Sequence, residues 1–129
     1  MLSMIAVAAA EAQTDPSPET MTEAPVLRDW LAAINFAGVP CLAGTVEGHP
    51  RLEDGKRIFT SVLVALDPDG RWARSRSRWY RLDTEWPGGV MPVEVILRGY
   101  TWLRRIDAVQ LATTLRFAVL NRHGRKLGG

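Results

Sequence analysis

Cysteine occurs once in the 129 residues, at Cys41. One thiol cannot close an intramolecular disulfide, and it points to a reducing, cytoplasmic setting. The two histidines, His49 and His123, stand at no ligand-like spacing from it, so neither a zinc site nor any other metal centre is expected. Long apolar runs are also missing. The N-terminal MLSMIAVAAAEAQT is far too short to span a bilayer, which takes about 20 residues. It ends in an Ala-x-Ala-like fashion but lacks the basic start of a secretory signal. Residues 1–21 therefore read as a disordered or removable leader, either a signal sequence or a start-site overrun ahead of Met21. No partnership with a membrane is expected.

The motifs of common cofactor chemistry are absent too. There is no phosphate-cradling glycine loop, Walker lysine or dinucleotide fingerprint, and Asp67-x-Asp69-Gly70 lacks the further ligands of a calcium loop. No cofactor is expected. For catalysis the residues offer one candidate, Cys41 with His49 of the Gly48-His49-Pro50 loop as its base, and such a pair needs direct hydrogen-bond contact. The plainer reading is a buried, unreactive thiol and a histidine that fixes a turn.

Charge of one sign is missing at each end. Residues 1–25 carry Glu11, Asp15, Glu19 and Glu23 but no Lys or Arg, so the rest of the chain sets 16 cations against 10 acids, a balance of +6. No acid follows Asp107, whereas Arg116, Arg122, Arg125 and Lys126 do. An acidic leader on a basic body suits an anionic partner.

What remains is an ordinary globular composition, 47% apolar and 23% charged, enough for one domain over residues 22–124 with a frayed basic tail at 125–129. Leu27, Trp30, Leu31 and Ile34 recur at helical spacing, which predicts a helix between Thr22 and Gly38. Cys41 to Gly48 reads as a strand with Leu42 and Val46 inward. Arg57 to Asp67 reads as a central strand buried on both faces, and Asp67 to Gly70 as a tight turn. VEVILRGY suggests a further strand. The apolar spacing from Leu103 to Val119 suggests a C-terminal helix for which Asp107 is a possible cap. The fold class that follows is α+β: a small antiparallel sheet of about four strands flanked by an N-terminal and a C-terminal helix.

The most unusual stretch is RWARSRSRWYRL, residues 71–82, with five arginines, two tryptophans, a tyrosine and no acid. Laid out as one strand, it sets Arg74, Arg76 and Arg78 in a row about 7 Å apart, bracketed by Trp72 and Tyr80. Such a row can follow phosphates while the aromatics stack on bases. The candidate anion-binding set is Arg71, Trp72, Arg74, Arg76, Arg78, Tyr80 and Arg81, with Arg122, Arg125 and Lys126 as a second contact. The competing reading is a charged edge strand whose arginines deter aggregation and pair with Asp67, Asp69, Asp83 or Glu85.

Gly48-His49-Pro50, Thr60-Ser61, Asp67-Pro68, Trp72-Ala73-Arg74 and Ser77-Arg78-Trp79-Tyr80-Arg81-Leu82 together resemble the pattern of an uncharacterised family of small, often plasmid-borne alphaproteobacterial proteins. The resemblance covers about residues 24–82 and implies no known activity. The expectation is a non-catalytic binding protein for nucleic acid or an acidic protein surface. The alternatives are an interaction module or inhibitor from a mobile element, and an enzyme using Cys41 and His49.

Overall fold

The computed structural model describes residues 4–35, 38–87 and 104–117. The expected strand at 93–100 and the cations Arg122, Arg125 and Lys126 lie outside these residues. In chain order the elements are α1 (Met4–Glu11), α2 (Pro18–Glu23), β1 (Val26–Ile34), β2 (Pro40–Glu47), β3 (Lys56–Phe59), β4 (Leu63–Leu66), β5 (Trp72–Ser75), β6 (Trp79–Leu82) and β7 (Arg104–Ile106). A helix, α3, follows over 108–117. The fold is α+β, with seven strands among the described residues where about four were expected.

The sheet runs β3-β2-β1-β6-β5-β4, and β7 pairs with β1. It is mixed rather than antiparallel, because β6 runs parallel to β1 at Val26↔Arg81 and Leu27↔Leu82. Its two outermost strands are successive in the chain, separated by Thr60, Ser61 and Val62. The strand expected at the centre is therefore one bent run that leaves one rim and joins the other. Both halves of the bend stay paired: Thr60 N–H donates to Leu42 O (2.9 Å), and Arg76 N–H to Val62 O (2.8 Å). The sheet curls around a core containing Leu27, Trp30, Leu42, Val46, Leu63, Leu66, Ala73 and Tyr80, to which α3 adds Leu111 and Ala112.

The helix expected between Thr22 and Gly38 is instead strand β1. Its helical spacing has a physical source in a β-bulge between Arg28 and Leu31, where Asp29 takes φ 49°. The extra residue shifts the alternation, so Leu27, Trp30 and Ala32 share the main core while Leu31 and Ala33 face the opposite side. A strand buried on both faces and interrupted by a bulge imitates i, i+3 periodicity. The bulge also redirects β1, which pairs with β6 before it and with β7 after it. Behind it, Leu31, Ala33, Cys41 and Ala43 form a second apolar cluster under Phe59 and Trp86.

The N-terminal segment contains two helices. In α1, Ala8 and Ala9 pack on Val64 of β4. Ser17 caps α2 by accepting the N–H of Thr20 at 3.1 Å, with Pro18 in the first turn, where a missing N–H costs nothing. At the other end Asp107 accepts the N–H of Gln110 (2.9 Å), the capping role its position suggested. The Asp67–Gly70 turn forms as expected: Gly70 takes φ 71° and its N–H donates to Asp67 O at 2.9 Å.

Candidate anion-binding surface

The arginine-rich stretch is not one strand. It is a hairpin, β5 and β6, closed by a tight turn at Arg76 and Ser77. No Gly, Pro, Asn or Asp marks that turn; Ser75 makes it. Its buried hydroxyl donates to Arg78 O and accepts the N–H groups of Ser77 and Arg78, all at 3.2 Å. Ser75 N–H also reaches Arg78 O at 2.9 Å. A serine able to bond the backbone on both sides supplies a turn where the sequence pattern suggests extension.

Reversing the chain there breaks the proposed ladder. Across the hairpin Arg74 opposes Trp79 and Ala73 opposes Tyr80, so Tyr80 points inward with Ala73 and is buried. Trp72 is buried as well, against Trp79 in an edge-to-face contact of 5.4 Å. Neither Trp72 nor Tyr80 is available to stack on a base. Trp72 and Arg74 lie on the face crossed by α1. Arg74 is 11% exposed, pairs with Glu11 at 3.0 Å, and lies over the Trp79 ring at 5.5 Å. Arg71 donates through Nε to the buried Asp67 carboxylate at 2.8 Å and approaches Asp69 at 3.7 Å. That hydrogen bond and charge hold its guanidinium above its ordinary pKa. Arg71 and Arg74 are thus folded back onto the protein's own acids, Arg71 onto two that the competing reading named and Arg74 onto Glu11, which it did not.

Arg76, Arg78 and Arg81 differ. Among the described residues they form no ion pair, and neither does Arg51. Strand register shows where Arg51, Arg76 and Arg78 gather, whereas Arg81 opposes Trp72 across the hairpin. Val26, at the start of β1, faces Glu47, at the end of β2, and also Arg81 of β6. The β2–β3 loop (48–55) and the β5–β6 turn consequently leave from the same end of the curled sheet. Leu52 packs on the main core, which folds the loop inward over that end. Beside the turn, the bend between β3 and β4 brings Ser61 Oγ to 3.2 Å from Ser77 Oγ.

His49 sits in this loop. Its Nδ1 accepts the N–H of Arg51 at 3.0 Å, which leaves Nε2 as the free edge of the ring. Partial burial, and then the Arg78 and Arg51 guanidiniums, hold its pKa below the ordinary histidine value. Tyr80 is pushed up by burial, against a smaller opposite pull from Arg78. Two carboxylates share the loop: Asp54, whose Oδ1 accepts the Gly48 N–H at 2.8 Å, and Glu53. The Gly48-His49-Pro50, Thr60-Ser61 and Ser77-Arg78 elements, well separated in the chain, thus meet at one end of the sheet.

The Cys41–His49 pair is not assembled. Cys41 is buried with Leu31, Ala33 and Ala43, and burial pushes its thiol up to about 11. Strand β2 then carries the chain from Cys41 to Glu47, roughly 20 Å at about 3.3 Å per residue, before the loop begins. Among the described residues, no group of three or more His, Cys, Asp or Glu is placed to hold a metal ion. No helix among them is long and apolar enough to cross a membrane.

A family model described only as a family of unknown function, DUF6634, matches residues 2–114. The chain belongs to that family. For DUF6634 the match takes in α1 and α2 as well as the sheet, so the segment read as a leader lies within the family's span. Neither the curated proteins nor the solved structures contain a match to the chain.

Proposed function

We propose that this DUF6634 protein is a non-catalytic binding protein that grips the phosphates of nucleic acid at the end of its curled sheet, chiefly through Arg51, Arg76 and Arg78, with Arg81 alongside. The observation that carries the reading is the division among the arginines. Arg71 and Arg74 are paired internally, whereas these four form no ion pair among the described residues. The neighbouring polar groups, Ser61, Ser77 and His49 Nε2, are able to donate hydrogen bonds, and guanidinium forks match phosphate geometry. With Trp72 and Tyr80 buried, contact to the backbone takes the place of base stacking. The carboxylates of an acidic protein surface offer the same groups a second kind of partner. If the chain derives from a mobile element, as its resemblance implies, host nucleic-acid machinery is where an inhibitor of this kind acts. The single buried thiol fits a cytoplasmic setting.

Fluorescence anisotropy with a labelled single-stranded oligonucleotide tests the reading. Three phosphate contacts give a salt slope near −2, so a fourfold rise in salt weakens binding by about 15- to 20-fold. Arg51→Ala/Arg76→Ala/Arg78→Ala abolishes most of the binding, and Arg71→Gln leaves it nearly intact. Absence of binding at low salt, indifference to salt, or an unaffected triple variant refutes the proposal. Binding to polyglutamate but not to the oligonucleotide assigns the surface to an acidic protein.

A further inference from the structure

We infer that the end of the sheet is a site for a terminal phosphate, a phosphomonoester at a nucleic-acid end, in which His49 joins Arg51 and Arg78 as a third ligand. The inference rests on the proposed phosphate-binding function and sharpens it. The geometry is compact rather than linear. The Arg51 N–H fixes the His49 ring through Nδ1, directing Nε2 away from that backbone contact. The Ser75 hydroxyl holds the Arg78 backbone in its turn. The hydrogen-bonded Ser61 and Ser77 hydroxyls meet at that turn and leave one O–H free as a further donor. A row of guanidiniums would track successive diesters, but the hairpin abolishes that row and leaves cations on a loop and a turn at one end.

A monoester carries about −1.5 to −2 at neutral pH against −1 for a diester, and it presents three oxygens. Such a group rewards donors that converge from several directions. The charged groups acting on His49 are Arg78 of the β5–β6 turn and Arg51 of its own loop, which also carries Glu53 and Asp54, the latter bonded to Gly48 N–H. Free, the imidazole sits beside two guanidiniums and stays neutral. With Nδ1 accepting the Arg51 N–H, Nε2 already carries the ring's proton and donates it. A dianion seated there reverses the local field, so binding draws a second proton onto Nδ1 in exchange for that backbone contact.

The test compares two oligonucleotides of one sequence, with 5′-phosphate and with 5′-hydroxyl, by anisotropy at about pH 6.5 and about pH 8. The expected preference for the 5′-phosphate is about tenfold, the scale of one charge-assisted contact. In the wild type that preference holds or grows at the lower pH. In His49→Gln it shrinks there, because the monoester itself loses charge near pH 6. Calorimetry in buffers of different ionisation enthalpy reports more proton uptake for the wild type than for His49→Gln. Equal binding of the two oligonucleotides, or the same pH response in both proteins, overturns the terminal-phosphate site while leaving the broader reading standing. Failure of both oligonucleotides to bind overturns both.

Discussion

Gly44 lies in β2 opposite the bulge of β1. A methyl group added there would meet Leu27 Cγ at 2.7 Å, Arg28 O at 3.0 Å and Leu27 Cδ1 at 3.1 Å. Carbon atoms in contact prefer about 3.5–4.0 Å, so the shortfall against Leu27 approaches 1 Å. Leu27 is fully buried and has no room to withdraw, and Arg28 O belongs to a strand paired on both sides. Overpacking of this kind costs about 1–3 kcal/mol, offset by about 0.4–1 kcal/mol from the stiffer unfolded chain. The expected net loss for Gly44→Ala is about 1–2 kcal/mol, or a Tm lower by about 3–10 °C for a domain of this size. Leu27→Ala removes the two closest side-chain contacts and by itself costs about 2–5 kcal/mol through the cavity it leaves. In a double-mutant cycle followed by urea denaturation, the two substitutions together cost less than their sum by about 1 kcal/mol or more. An unchanged Tm for Gly44→Ala, or strict additivity in the cycle, refutes the packing argument.

Ser75→Ala strips the β5–β6 turn of three side-chain hydrogen bonds in a buried setting and costs about 1–3 kcal/mol in denaturant melts; oligonucleotide binding weakens with it because Arg78 loses its anchor. The pKa of His49 is lowered on folding, so the unfolded chain binds the proton more readily. Its contribution is complete above the unfolded value of about 6.5 and is lost as pH falls below it; thermal melts from neutral toward pH 5 show the wild type losing more than His49→Gln. Cys41, buried and with its thiol pushed up to about 11, reacts with a thiol reagent at pH 8 only after denaturant is added; rapid labelling of the folded protein contradicts its placement.

Much of the fold was legible in local chemistry. The Asp67–Gly70 turn, strand β2 with Leu42 and Val46 inward, and the Asp107 cap all depend on residues close in sequence, and they appear where their chemistry puts them. Three features were hidden because each depends on a tertiary partner or on one serine. The bulge at Asp29 converted a doubly buried strand into an apparent helical stripe. The bend at Thr60–Val62 divided one apolar run between two sheet rims, and no glycine or proline announces it. Ser75 turned a supposed ladder of arginines into a hairpin, which moved Tyr80 to the inside and left Arg74 under α1. The sequence marked Arg76, Arg78 and Arg81 as candidates, but it offered His49 as a catalytic base or a residue that fixes a turn, not as a ligand, and did not single out Arg51. Their partnership with the turn crosses the sheet, and spacing along the chain carries no trace of it.

The bent run from Lys56 to Leu66 belongs to two half-sheets at once: its first half hydrogen-bonds to β2 and its second to β5. Neither half can peel away without dragging on its continuation, so the two rims share one fate during unfolding. A clamp of this sort leaves no hairpin free to melt alone, and it ties the loop that carries His49 to the turn that carries Arg78 through a short, continuous length of backbone.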